Sequence, residues 1–129
     1  MPSDGRCPCG SGSEYLGCCG PLHDGRRTAD TALALMRSRF SAFALGRADY
    51  LLATWHRDTR PRRLELDDDI VWRRLQIVDT DAGGQGDDHG VVEFRAQYEL
   101  RGRRGLLHER SRFTRNGGRW VYVDGDLED

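Results

Sequence analysis

The segment that decides the fold lies near the start of the chain, where residues 7–21 read CPCGSGSEYLGCCGP. It holds all four cysteines, Cys7, Cys9, Cys18 and Cys19, in the spacing C-x-C-x8-C-C. Two close thiol pairs joined by a short loop can supply the four soft ligands that zinc takes in a tetrahedron. A stretch this short and glycine-rich has little to bury, so it needs a metal in order to fold. The pattern therefore predicts a zinc knuckle, with one structural Zn²⁺ held by the four cysteines.

Other uses of the same sulfurs stay open at this point. Two disulfides, such as 7–18 with 9–19, would suit an oxidising compartment. A redox pair is less compatible with the segment, because the usual C-x-x-C spacing is absent. His23 lies close in sequence and could replace a cysteine, although four thiolates already complete the coordination. Tyr15, inside the loop, is expected to pack against the metal loop or to dock it onto the rest of the protein.

The composition sets limits on the rest of the chain. Its 129 residues are enough for one main domain and a small satellite. Hydrophobic residues make up 37% and charged residues 32%, which is typical of a globular chain rather than a disordered one. The N-terminal residues lack the apolar core of a signal peptide, and no apolar run is long enough to span a bilayer. These observations predict a cytoplasmic protein without membrane contacts.

After a linker at residues 21–27, helical periodicity gives way to strand periodicity. Helices followed by an antiparallel sheet form an α+β domain. The acidic residues 124–129 are expected to be a frayed tail. The predicted elements are a helix capped by Thr28 or Asp30 and ending before Gly46, a second helix from Asp49 to Trp55, and strands over residues 71–79, 92–100, 106–115 and 119–124.

The cysteine segment resembles the SEC-C motif, the zinc knuckle at the C-terminus of the SecA translocation ATPase. That motif usually ends in Cys-His, whereas this chain has Cys18-Cys19. Four later segments resemble the YchJ-like family of uncharacterised bacterial proteins: ALMRSRFSAF (34–43), TWH (54–56), HERSRF (108–113) and GRWVYVDGD (118–126). The resemblance implies a SEC-C zinc knuckle at residues 1–22, with zinc on Cys7, Cys9, Cys18 and Cys19. It also implies a nuclear transport factor 2-like cone at residues 28–125, with N-terminal helices packed on a curved antiparallel sheet.

The third predicted strand places a carboxylate on the face that would line this cone. By the period of two, Glu109 and Ser111 share a face with Phe113. A carboxylate on that face needs a partner. Arg37 on the first helix is a candidate partner, and Trp55 is a candidate wall. The set is compatible with a small-molecule pocket. The alternatives are an ion pair that only fixes the helix against the sheet, and an exposed strand end that leaves Glu109 solvated.

Three functions follow from these features. The first is a non-enzymatic adaptor, in which the knuckle recognises a protein partner and the cone carries it. The SecA motif is similar in contacting an export chaperone and the ribosome, but residues 13–17 here lack the lysines often found in that motif. The second is a small-molecule-binding or catalytic cone near Glu109. His56 and His108 are candidate general bases, but the sequence has no recognisable catalytic motif.

The third function is RNA or ribosome binding through arginine. All 20 basic residues are arginines, and many of them form groups at residues 57–63, 73–74, 101–104 and 110–119. The net charge of −1 favours the simpler interpretation, in which these groups are solvated and balanced by Asp and Glu.

Overall fold

The structure is a computed structural model that describes residues 5–128. Helices come first and a sheet follows. The elements are a 3-10 turn at Tyr15–Gly17, helices α1 (Gly20–His23), α2 (Ala32–Leu45) and α3 (Ala48–Ala53), and strands β1 (Ile70–Ala82), β2 (His89–Leu100), β3 (Arg103–Asn116) and β4 (Arg119–Leu127). Among these elements, no helix combines the length and the apolar character that crossing a bilayer requires.

Helix α2 begins later than its sequence pattern predicts. Thr31 is the N-cap, because its hydroxyl accepts from the Ala34 amide at 3.0 Å. The Asp30 carbonyl is used differently, as the acceptor for Trp120 Nε1 at 3.2 Å. The helix ends as predicted at Gly46, whose φ of 75° is readily adopted by glycine.

Helix α3 is shorter than predicted because residues 54–56 pair with the sheet. The amide of Tyr122 donates to the Thr54 carbonyl at 2.8 Å, and the amide of His56 donates to the Tyr122 carbonyl at 2.7 Å. These bonds form a parallel bridge between Trp55 and Tyr122. The segment thereby covers part of the edge of β4.

The four strands form an antiparallel meander in the order β1-β2-β3-β4. Strand β4 runs to Leu127, so most of the expected frayed tail is a strand. The reason lies on β3, where Arg112 pairs with Asp124 at 2.5 Å and with Asp126 at 2.8 Å. The acidic residues of β4 therefore neutralise a neighbouring arginine.

The core lies between α2 and one face of the sheet. Helix residues Leu35, Met36 and Phe40 pack against strand residues that include Phe94 and Phe113. Trp120 of β4 is also part of this core, at 3% exposure. Apolar burial of this kind is the main stabilising contribution in a domain of this size. The helices packed on an antiparallel sheet confirm the α+β class.

Candidate metal centre

A small hairpin positions the first cysteine pair. The Cys7 amide donates to the Ser13 carbonyl at 2.9 Å, and the Tyr15 amide donates to the Gly5 carbonyl at 3.0 Å. The tip turns sharply through Gly10 and Gly12, whose φ angles are 81° and 88°. Those angles lie in the left-handed region that a Cβ disfavours. The glycines between the cysteines are therefore what folds the first pair back toward the second.

A 3-10 turn and a short helix position the second pair. The Cys18 amide donates to the Tyr15 carbonyl at 3.0 Å, and Cys19 is the N-cap of α1. Gly20 follows at once, and a Cβ there would lie 2.8 Å from the Tyr15 carbonyl oxygen. Only glycine fits this close approach, so the backbone after Cys19 can curl tightly around the sulfurs.

The four sulfurs converge on one point. Their Sγ atoms all lie within 4.8 Å of one another. The Cys9–Cys18 distance is 3.6 Å and the Cys18–Cys19 distance is 3.9 Å. Zn–S bonds of about 2.3 Å in a tetrahedron place sulfurs about 3.8 Å apart, whereas a disulfide needs about 2.05 Å. All four cysteines are free thiols. The cluster could hold one metal ion.

Hydrogen bonds among the sulfurs, together with burial, shift the pKa values of the thiols in opposite directions. Donation from Cys19 and Cys7 lowers the pKa of Cys9. The pKa of Cys19 is raised, chiefly because its proton bonds to Cys7 and Cys9. Burial raises the pKa of Cys18. Metal binding requires thiolates, so it would release the protons that these thiols hold.

Helix α2 supplies a buried partner to the cluster. Ser41, fully buried, places its Oγ 3.3 Å from both Cys7 Sγ and Cys19 Sγ. One turn away, Arg37 donates to the Cys9 carbonyl at 3.0 Å. Such contacts orient metal ligands and tune their basicity. The knuckle is thus built onto α2 rather than tethered beside it.

His23 fixes the other side of this junction and is not placed as a ligand. Its Nε2 donates to the Ser38 carbonyl at 2.8 Å, so its Nδ1 is the acceptor for the Tyr15 hydroxyl at 2.6 Å. Burial lowers the pKa of His23, which favours the neutral ring that this pattern needs. Tyr15 therefore docks the loop onto the domain through His23.

The residues predicted to form a cone pocket do not all meet. Glu109 accepts from Ser111 Oγ at 2.5 Å and from the Tyr122 hydroxyl at 3.2 Å. Arg37, the predicted partner of Glu109, points instead to the cysteine loop. Residues two apart on a helix lie on nearly opposite sides, so Arg37 and the sheet-facing Arg39 diverge.

Sequence reasoning missed Arg39, which is 3% exposed and lies over Tyr122 and Trp55 at 4.7 Å and 5.0 Å from the ring centroids. Burial lowers its pKa to about 10. Arg39 occupies the i+4 position from the core residue Leu35, and this periodicity could have identified it. Trp55 lies beside Arg39 and Tyr122, and its buried Nε1 has no hydrogen-bond partner within residues 5–128.

Two of the five arginines of β3, Arg110 and Arg112, are paired with acids. Arg110 pairs with Asp79 at 3.3 Å and with Glu93 at 3.0 Å. Glu93 also accepts a hydrogen bond from His108 at 2.7 Å. Arg112 is paired with β4, as described above. Neither arginine contributes unbalanced positive charge to the outer face, which favours the solvated interpretation of these groups. His108 has a structural partner in Glu93, and His56 Nδ1 accepts from the Asp58 amide at 3.1 Å.

Comparison with known proteins gives the same architecture. A family model described as YchJ, middle NTF2-like domain, matches residues 31–125. UPF0225 protein SCO1677 of Streptomyces coelicolor is 53% identical over 95% of this chain and 96% of its own length. A UPF0225 protein of Chromobacterium violaceum is 51% identical over 92% of this chain and 90% of its own.

Two solved structures of SEC-C motif proteins have a similar fold. The solution structure of RPA3114, a SEC-C motif protein of Rhodopseudomonas palustris, matches with a TM-score of 0.83 and 35% identity, over 95% of this chain and 98% of that one. The crystal structure of a SEC-C motif protein of Psychrobacter arcticus matches with a TM-score of 0.76 and 27% identity, over 95% and 82%. With its cysteine cluster and its sheet, the chain belongs to the UPF0225 family of YchJ-like proteins, in which a SEC-C motif accompanies a nuclear transport factor 2-like domain.

Proposed function

We propose that a single Zn²⁺ fills the cysteine cluster and has a structural role. The separations of 3.6 Å and 3.9 Å between sulfurs support it, because they bracket the edge of a zinc–thiolate tetrahedron. Metal analysis of the purified chain should find one zinc. Much less than one zinc per chain, together with oxidised thiols, would contradict the proposal.

We further propose that the protein is a non-enzymatic adaptor, and that the cysteine loop, ordered by the metal, recognises its protein partner. The observation that carries this is Leu16, which is 74% exposed in the turn between the two cysteine pairs. A loop held by ligands on both sides is ordered before it binds, so a partner would not have to order it. The partner surface would offer an apolar pocket for this leucine.

The experiment compares two exposed leucines at different places in the fold. Leu127 is 72% exposed at the end of β4, which makes Leu127→Asp a matched control for Leu16→Asp. Cross-linking to the full chain in cell extract should capture a partner with wild type and Leu127→Asp. The same partner should be lost with Leu16→Asp and with Cys18→Ser/Cys19→Ser. Identical partner sets from all four proteins would contradict the adaptor.

A second candidate is a small-molecule or catalytic site in the cone near Glu109. The buried, unpartnered Nε1 of Trp55 beside Arg39 is the observation that favours it. Against it, a Cβ at Gly125 would collide with the Glu109 carboxylate, so that part of the cone is closely packed. Glu109→Gln discriminates between the two: it should abolish binding of a cone ligand but leave the adaptor's partner in place.

A further inference from the structure

A cavity of about 210 Å³ lies where the chain leaves the cysteine loop and enters the domain. It is separate from the Glu109 group and from the sulfurs. Its floor is formed by Leu35 of α2, Tyr50 of α3 and Trp120 of β4. Leu22 and Ala53 add further apolar wall. Three parts of the fold therefore contribute to one concave surface.

The polar atoms at the floor are already used. The Tyr50 hydroxyl lies 2.7 Å from Ser38 Oγ, and Trp120 Nε1 donates to the Asp30 carbonyl. Both nitrogens of His23, which also borders the cavity, are hydrogen-bonded. A ligand would therefore meet the floor mainly as aromatic and aliphatic surface. This suits an apolar group.

The mouth of the cavity is positively charged, in contrast to the apolar floor. Arg27 and Arg119 line it, both are exposed, and neither side chain has a partner among residues 5–128. Among the described residues that line the cavity, the single acid is Asp49, which is paired with Arg47 at 3.1 Å. The mouth thus carries two uncompensated guanidinium groups. Each presents the planar fork that matches a carboxylate.

We propose that this cavity binds a small monocarboxylate with an apolar body, in which the body fills the floor of Leu35, Tyr50 and Trp120 and the carboxylate lies between Arg27 and Arg119. The size is consistent, since an apolar cavity of about 150 Å³ accepts benzene. The remaining volume leaves room for one carboxylate but not for a nucleotide. This ligand site does not depend on the adaptor function or on the Glu109 group.

The first test uses phenylacetate as the probe on the full, metal-loaded chain. Amide and indole NMR signals of Trp120, and amide signals of Ala53 and Leu22, should shift and saturate with a dissociation constant of about 1 mM or tighter. Acetate, inorganic phosphate and 2-phenylethanol, which each lack one half of the ligand, should bind at least about tenfold more weakly. The proposal is overturned if phenylacetate does not saturate by about 10 mM, if phosphate binds as tightly, or if the shifts centre on Trp55 and Tyr122.

The second test uses variants whose folding is checked by the dispersion of the same spectra. Arg27→Gln/Arg119→Gln should weaken phenylacetate binding about tenfold or more and leave 2-phenylethanol unaffected. Arg62→Gln, at an exposed arginine remote from the lining, is the matched control and should change neither. Ala53→Phe should block both probes by filling the cavity. Equal weakening by Arg62→Gln, or unchanged binding to Ala53→Phe, would overturn the site.

Discussion

The cysteine loop and the sheet domain of this protein are each stabilised by a different kind of interaction. The apolar cluster of the loop consists of the cysteines themselves and Tyr15. The sheet and α2 bury a continuous core that includes Leu35, Phe94, Phe113 and Trp120. Chain entropy must be offset in both, at about 1–2 kcal/mol per residue for the backbone. The domain offsets it by burial, whereas the loop buries little apart from its cysteines and would depend on the proposed metal–sulfur bonds and on its contacts with α2.

The largest effect should come from removing the metal. Chelation under reducing conditions is expected to collapse the NMR signals of residues 5–19, while the β2 and β3 signals stay dispersed. The reason is that structural zinc contributes about 10–16 kcal/mol in comparable small sites, whereas the sheet core contains no metal ligand. Returning one equivalent of zinc should restore the loop, which serves as the control. A loop spectrum unchanged in metal-free, reduced protein would remove the distinction between the two regions.

Next in size is damage to the core of the domain. Phe113→Ala on β3 should lower the free energy of unfolding by about 3–5 kcal/mol, because Phe113 is 2% exposed and its loss leaves a cavity. Leu106→Ala on the same strand, at 54% exposure, is the control and should cost about 0.5 kcal/mol or less. Urea denaturation measures both, and equal losses would show that this core does not carry the stability of the domain.

The smallest effect tests the contact between the two regions. Ser41→Ala removes the buried hydroxyl beside Cys7 and Cys19 and should weaken zinc affinity about 10- to 100-fold. Ser11 offers a matched control, because its Oγ lies 3.2 Å from Cys18 Sγ at an exposed position. Ser11→Ala should have a weaker effect, since water can replace its hydroxyl. Competition with a chelator measures both affinities, and a greater loss for Ser11→Ala would contradict the role given to α2.

Local pattern was enough for the elements but not for their ends. Strand periodicity predicted strands over residues 92–100, 106–115 and 119–124, where β2, β3 and β4 lie. The predicted ends of α3 and β4 were wrong because both depend on pairing with distant residues. Thr54 and His56 pair with Tyr122, which ends α3 early. Asp124 and Asp126 pair with Arg112, which extends β4. The domain limits of 1–22 and 28–125, the cytoplasmic location and the protein partner stay predictions.

The sequence by itself determined the cysteine spacing and the α+β class, because these depend on residue type and periodicity, and its resemblance to known motifs identified the family. Only the tertiary structure decided which side chains meet. It turned Arg37 to the loop and Arg39 to the core, and it placed Ser41 beside two sulfurs. It also placed Arg27 and Arg119, whose side chains have no partner within residues 5–128, at one cavity. The physical reason is that periodicity shows which residues share a face, whereas the partner across that face comes from elements far away in the chain.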